Sequence, residues 1–337
     1  MKTFTLDRYA KKSALRAADM PEPVVGDDDV LVEVHAAGVN QLDVKIRDGD
    51  FKLLLPYRLP QIMGNDVAGV VTRVGAHVRG FTPGDQVYAR PDKDRIGTFA
   101  EFIAMNQRDV AHKPTTLGMA EAASVPLVAL TAWQALVEQA GLRSGQKVFV
   151  QAGTGGVGTV AIQLAKHLGA SVATTCSPAG FELVKSLGAD VVIDYKTEDF
   201  EKVLHDYDVV LHSQGGAELK KSLRILRRGG TLVSISGPPD HVFGETMGAA
   251  WYVRLLLRIL SSATRRRARR LGVSFHFLFM RANGDQLREL TSLIDAGVIR
   301  PVVDRVFPFA ETNDAMAYVE SGRAKRKVVV AVKPNVG

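Results

Sequence analysis

Through the first third of the chain, apolar residues alternate with polar ones or gather in short β-branched blocks. Val30–Val34 (VLVEV) alternates behind a polar turn at Asp27–Asp29, and Val67–Val74 is a second apolar run ending at Gly75. Pro83–Val87 (PGDQV) is a turn feeding a strand through Tyr88, and Gly97–Ala104 (GTFAEFIA) alternates again. Short strands punctuated by Gly and Pro predict a β-rich, barrel-like domain. The period then changes. Met119–Ala123 and Val128–Ala140 repeat at helical spacing, with Pro126 between them and Gly141 closing the run. From Lys147, β and α patterns alternate: Val148–Gln151, Ser171–Thr175, Val191–Ile193, Val209–His212 and Thr231–Ser236 read as strands, with Phe275–Met280 as a sixth. That alternation predicts an α/β fold with a doubly wound parallel sheet beside the β-barrel domain. Helices are expected at Asp285–Ala296, stopped by Gly297, and at Thr312–Glu320, before a last strand at Lys327–Val332.

The strand–glycine–helix passage Val148–Gly169 (VFVQAGTGGVGTVAIQLAKHLG) brings in the first chemistry. Its G-x-G-x-x-G lies between a buried strand and a helix, which is the setting that makes this pattern a dinucleotide fingerprint. Gly153 permits the tight turn, Gly155 lets backbone approach a pyrophosphate, and Gly158 lets the helix pack close to the strand. The helix-start N–H groups and positive dipole end, at Thr154, Gly155, Gly156, Val157 and Gly158, then hold the phosphates.

Composition narrows the rest. The chain has 337 residues, 46% apolar and 23% charged, as a two-domain globular protein would. A single cysteine, Cys176, excludes a disulfide framework and any multi-cysteine zinc site. It also suits a reducing, cytoplasmic setting, and the MKTFTLDRYAKK start lacks the apolar core of a signal peptide. A cytoplasmic protein is therefore expected. Of the net charge of +7, Arg265, Arg266, Arg267, Arg269 and Arg270 supply five, leaving the rest near balance. A broad basic field for nucleic acid is excluded.

Gly38–Asp43 (GVNQLD), Gly64–Gly69 (GNDVAG), Gly80–Val87 (GFTPGDQV), Ala152–Gly158 (AGTGGVG) and Gly229–Val233 (GGTLV) together resemble the medium-chain dehydrogenase/reductase superfamily, in its zinc-free quinone oxidoreductase branch. His276–Met280 (HFLFM), Ile299–Val303 (IRPVV) and Phe307–Phe309 (FPF) are similar to the reticulon-4-interacting-protein-like enzymes within it. The resemblance implies a GroES-like catalytic domain over 1–124 and 300–337, with a Rossmann NADPH-binding domain over 125–299. It implies NADPH as cofactor, a quinone or α,β-unsaturated carbonyl as substrate, and a homodimer joined near Phe275–Met280.

Zinc-dependent relatives place their ligands where this chain has Asn40, Asn65 with Asp66, and Leu127. One carboxylate with no thiol or imidazole cannot make a catalytic zinc site, so no metal is expected. No acid follows the second strand, at Thr174–Pro178, to take an NAD ribose hydroxyl, which permits NADP. Ser177 can donate to the 2′-phosphate, and Tyr195 matches a family phosphate contact or caps the sheet. Some relatives carry a Lys where this chain has Gly180; Lys185, Lys196, Arg323 or Lys325 could supply the missing charge.

Without a metal, hydride transfer to an electron-poor carbon needs placement and donors for the oxygen that gains charge. Asn40 is the expected residue at the reacting end. Lys45 could anchor the nicotinamide ribose with Asp43 orienting it, the two sharing a face if extended; otherwise they form a surface ion pair. Thr131 is a nicotinamide neighbour or an N-cap. Ser236 and Gly237 end the fifth strand, where ligands gather. Phe277 and Phe279 face the nicotinamide half or pack in the core, Tyr57 is a pocket wall or packing, and His212 reads as a satisfied strand-end residue. Trp251–Leu260 (WYVRLLLRIL) followed by the arginine run reads as a cleft-covering or interface helix with a solvated basic turn, or as an interfacial membrane helix. A non-catalytic NADPH-binding scaffold protein is the competing functional class.

Overall fold

The computed structural model describes residues 1–334; positions 335–337, the end of the expected 300–337 segment, lie outside the described residues. Two compact units emerge, one of Met1–Leu130 with the chain from Arg281 onward, the other of Thr131–Met280.

In the first unit the strands are β1 (Lys2–Leu6), β2 (Arg16–Asp19), β3 (Asp29–Val39), β4 (Gln61–Ile62), β5 (Asp66–Val74), β6 (Gln86–Ala89), β7 (Phe102–Asn106) and β8 (Val110–His112). Three helices interleave with or follow them: α1 (Gln41–Asp48), α2 (Met119–Ala123) and α3 (Pro126–Trp133), which runs into the second unit. β3 is long and buried along most of its length, and it pairs with both β5 and β7. Its Val30, Val32 and Val34 sit in one core with Val67, Val71, Ile103 and Met105.

From β9 the second unit alternates strand and helix, with two helices before its last strand: β9 (Lys147–Val150), α4 (Gly156–His167), β10 (Ser171–Cys176), α5 (Phe181–Ser186), β11 (Val191–Asp194), α6 (Phe200–Val203), β12 (Tyr207–His212), α7 (Gly216–Arg224), β13 (Leu226–Ser234), α8 (His241–Thr246), α9 (Trp251–Leu271) and β14 (Ser274–Phe277). The strands are parallel in the order β11-β10-β9-β12-β13-β14. The order reverses direction between β9 and β12, the switch point where ligands bind beyond the carboxyl ends of such sheets.

The chain then returns to the first unit with α10 (Gly284–Asp295), β15 (Val303–Pro308), α11 (Thr312–Glu320) and β16 (Lys327–Ala331). β16 pairs with β3 and β15, which closes the seven-stranded sheet with C-terminal residues. Residues 281–299, expected in the second domain, belong instead to the first unit. Here α10 packs on β8: Tyr88 Oη donates to the Leu287 carbonyl at 2.7 Å, and Thr291 Oγ1 to the His112 carbonyl at 3.2 Å.

Three local expectations give way. Asp43 and Lys45 lie on a helix, not a strand, because Asn40–Asp43 starts α1: the Asn40 N–H donates to Asp43 Oδ2 at 2.7 Å. Residues two apart on a helix face different ways, so Asp43 does not orient Lys45. Thr131 is inside α3 and buried, hence not an N-cap. The arginine run continues α9 for its full 21 residues to the Gly272 cap, so it is not a turn.

Candidate active site

The glycine bend sits after β9 in the second unit. Ala152 and Gly153 anchor it to β10, their N–H groups donating to Thr175 Oγ1 (3.1 Å) and the Thr175 carbonyl (3.0 Å). A Cβ on Gly153 would lie 2.2 Å from Thr174 Oγ1, and one on Gly158 2.4 Å from the Ala152 carbonyl oxygen. Only glycine lets strand, bend and helix come this close. Gly155 is crowded less severely: its added Cβ would lie 3.2 Å from the Ala152 carbonyl oxygen, still a tight contact, at the α4 N-terminus. First-turn N–H groups of a helix have no intrahelical acceptor, and α4 carries no acid there to compete with a diphosphate. This cradle fits a dinucleotide.

Ser177 and Tyr195 come next. Cys176 and Asp194 are register partners at the ends of β10 and β11, so Ser177 and Tyr195 leave the sheet side by side. Tyr195 is 58% exposed. Asp194, at the end of β11, is buried and accepts from the Lys196 N–H (3.0 Å) and Thr197 Oγ1 (3.2 Å). Gly180 has a packing reason: a Cβ there would lie 2.4 Å from Thr154 Cγ2. A lysine cannot occupy that position while Thr154 keeps its place. Arg323 and Lys325 are exposed in the other unit, in the turn between α11 and β16.

At the ends of β12 and β13, Ser234 Oγ donates to the Gly237 carbonyl and Ser236 Oγ to the Gln214 carbonyl, each at 2.6 Å. Both hydroxyl protons are thereby committed. His212 Nδ1, 3.2 Å and 3.1 Å from those two oxygens, must be the protonated nitrogen and donate to them. Burial pushes the His212 imidazole down to about 4, so it is neutral at physiological pH and is no proton source. The expectation of a satisfied histidine is half met, since Nε2 is buried with no partner among the described residues. Phe277 and Phe279 both pack on Phe243 of α8, with centroids 5.1 Å and 5.3 Å away.

The first unit buries a polar cluster around Asp66. Its Oδ1 accepts from the Leu127 N–H at 2.7 Å; its Oδ2 accepts from Asn40 Nδ2 and from Lys327 Nζ, both at 2.9 Å. Lys327 Nζ also donates to Asn40 Oδ1 at 2.6 Å, which fixes which way the Asn40 amide points. Asp43 accepts from the Asn40 N–H and from Asn65 Nδ2, each at 2.7 Å. Burial lifts the Asp43 carboxyl to about 6 against those two bonds. Lys327, 6% exposed, is the member sequence reasoning missed. It lies 287 residues from Asn40, and its only sequence signal was a lysine opening an otherwise apolar final strand. Lys45 stays outside this cluster on α1, and the Tyr57 hydroxyl donates to the Lys93 carbonyl at 2.8 Å.

Zinc does not fit here. The ligand positions supply one carboxylate, two amides and a leucine, and an ammonium already neutralises that carboxylate. Among the described residues no group of three His, Cys, Asp or Glu could hold a metal elsewhere.

Comparison with known proteins agrees in outline. A family model described as an alcohol dehydrogenase GroES-like domain matches residues 26–126, and one described as a zinc-binding dehydrogenase matches residues 187–330. The chain is 36% identical over 357 residues to the mitochondrial NAD(P)H oxidoreductase RTN4IP1 of Mus musculus, covering 98% of this chain and 89% of that protein. It is 35% identical to the chloroplastic NADPH-dependent alkenal/one oxidoreductase of Arabidopsis thaliana, covering 98% and 79%. Among solved structures, the quinone oxidoreductase from Coxiella burnetii superposes with TM-score 0.86 at 30% identity over 99% of both chains. Mycobacterial Rv1454c complexed with NADPH gives 0.82 at 27% identity, over 98% of this chain and 99% of that one. The expectation of a cytoplasmic protein is overturned by these relatives, which are named mitochondrial and chloroplastic. A lone buried cysteine reports a reducing environment, not a compartment.

Proposed function

This chain belongs to the medium-chain dehydrogenase/reductase superfamily, in the zinc-free branch of NAD(P)H-dependent quinone and enone oxidoreductases, and from that premise we propose how its own residues perform the reaction. It is an NADPH-dependent oxidoreductase acting on a quinone or an α,β-unsaturated carbonyl. Bound NADPH supplies a hydride to an electron-poor carbon. The observation that supports the cofactor assignment is the close-packed glycine bend at the α4 N-terminus, where a Cβ on Gly153 or Gly158 would clash; in the first unit, the Asp66 cluster excludes a metal.

Gly153, Thr154, Gly155, Gly156, Val157 and Gly158 hold the diphosphate through backbone and helix end. Ser177 and Tyr195 take the 2′-phosphate, with Arg323 or Lys325 adding charge. Thr131, Ser236, Gly237, Phe277 and Phe279 are assigned to the nicotinamide half. Ser236 offers an oxygen rather than a proton, since its own proton goes to the Gln214 carbonyl. Asn40 is assigned to the reacting end, with its amide orientation set by Lys327 and Asp66. Asp43 acts through Asn40 as a positioning residue. Lys45, half-buried on α1, keeps its assignment to the nicotinamide ribose without help from Asp43. Lys327 has three ammonium protons and two named acceptors, so it retains one for negative charge developing on a substrate oxygen.

The test is NADPH consumption, followed in the reduced-nicotinamide absorbance band, against a panel of quinones and enones, with NADH as the comparison. Turnover with NADPH and a marked preference over NADH is expected. Tight NADPH binding without turnover on any acceptor would establish the scaffold class instead. A homodimer joined along the β14 edge belongs to the same proposal, and light scattering on the purified chain decides it.

A further inference from the structure

Six large apolar side chains stand exposed on one helix: Trp251, Tyr252, Leu255, Leu256, Ile259 and Leu260 of α9, from 48% to 70% accessible. The same helix buries Leu257, Ser261 and Ala268. At helical spacing those three mark one side of α9; Tyr252, Leu255, Leu256 and Ile259 lie on the opposite side, with Trp251 and Leu260 on its two flanks. Further along, the exposed Arg266 and Arg270 continue that outward side and, with the half-buried Arg267, line a second groove beside Arg224 of α7. On the flank, Arg258, Ser262, Arg265 and Arg269 line a groove of about 590 Å³ together with His241 and His276. The helix carries seven arginines and no acid. Arg265 pairs with Asp240 at 3.2 Å, whereas Arg258, Arg267, Arg269 and Arg270 have no ion pair among the described residues.

We propose that α9 is a membrane-docking helix that lies on an anionic lipid surface, with Trp251–Leu260 entering the acyl boundary and the arginines on lipid phosphates. An apolar face continued by a basic one along a single outward surface is the pattern of an interfacial helix. Tryptophan and tyrosine at its tip match the preference of these rings for the headgroup level. Lying on the surface, and not crossing it, follows from the arginines: no helix among the described residues is long and apolar enough to cross a membrane. Charge selects the occupant. A second copy laid on this face would set Arg266, Arg267 and Arg270 against their own copies, while an anionic bilayer offers opposite charge and an apolar interior together. The inference goes beyond the reaction and does not rest on it, although a lipid-soluble acceptor would be met on such a surface.

The experiment is flotation of the full chain with vesicles of phosphatidylcholine alone and of phosphatidylcholine with about 30% phosphatidylserine, at low and high salt. The protein should float with the anionic vesicles only, and high salt should reduce the bound fraction at least about tenfold. Trp251 emission should shift to the blue on binding, and the shift should vanish in Trp251→Phe. Leu256→Glu with Ile259→Glu, and separately Arg266→Glu with Arg267→Glu and Arg270→Glu, should each lower binding at least about tenfold while NADPH consumption is unchanged. The proposal falls if nothing floats at low salt, if neutral vesicles bind equally, or if either variant binds as wild type does. It also falls if the wild type is an oligomer that Leu256→Glu dissociates, since the face then belongs to a second copy. Flotation without NADPH consumption would keep this inference and end the catalytic one.

Discussion

Lys327→Met isolates the buried cluster. The wild-type ammonium is 2.9 Å from Asp66 Oδ2 and 2.6 Å from Asn40 Oδ1, in a site where Asp66 is wholly buried. Methionine fills similar volume but leaves the Asp66 charge with only the Leu127 N–H at 2.7 Å and Asn40 Nδ2 at 2.9 Å. Removing one partner of a buried ion pair costs about 3–5 kcal/mol. Two retained hydrogen bonds place this case near the lower end, about 3 kcal/mol. For a unit of this size that lowers the melting midpoint by roughly 6–12 °C. Far-ultraviolet circular dichroism during urea and thermal unfolding measures both, and if the two units unfold separately only one transition should move. The double variant Asp66→Asn with Lys327→Met carries no stranded charge and should be more stable than Lys327→Met alone. A Lys327→Met protein within about 0.5 kcal/mol of wild type, or a double variant no better than the single, refutes the reasoning.

Asp43 gives a pH test. Burial raises its folded carboxyl to about 6, above the roughly 3.9 of an unfolded chain, so the folded state binds that proton more tightly. Its contribution is complete below about pH 4 and is lost as pH rises through about 6. The stability of wild type relative to Asp43→Asn should therefore fall by roughly 2–3 kcal/mol between about pH 4 and pH 7, and a flat difference sinks the assignment. Gly158→Ala drives a Cβ to 2.4 Å from the Ala152 oxygen, so NADPH affinity by fluorescence titration should drop at least about tenfold; unchanged affinity contradicts the cradle. Gly180→Lys should weaken NADPH binding despite its added charge. Adding Thr154→Ser, which removes the Cγ2 it meets at 2.4 Å, should reverse the loss. Asn40→Ala should lower kcat more than it changes NADPH affinity, and equal losses would contradict a place at the reacting end.

The glycine bend was legible because its meaning is local. Val148–Gln151, G-x-G-x-x-G and the apolar period of α4 specify strand, turn and helix within one short segment, and Gly153, Gly155 and Gly158 each show a close neighbour that accounts for the missing side chain. The β-rich first unit was legible for the same reason. What failed was also local in origin. The Asn40–Asp43 cap start and the left-handed Gly49 at φ +82° were readable helix signals, and missing them put Asp43 and Lys45 on one face. The arginine run reads as a solvated turn because charge without apolar period looks like loop. Its helix continues because Ala268 is buried at its own helical spacing from Leu257 and Ser261.

Residue order alone determined the two folding patterns, the strand–glycine–helix bend, the lack of zinc ligands at Asn40, Asn65 and Leu127, and the isolated block of positive charge. Tertiary structure decided what distance along the chain conceals: that Lys327 neutralises Asp66, that Thr154 crowds a side chain at Gly180, that two serines fix the His212 proton, and that six apolar residues of α9 stay about half or more exposed. Propensity and period act over a few residues, and a strand or helix shows in its own sequence. Pairing of buried charges, close approach and exposure depend on which distant segments meet, and that is settled only when the chain has packed.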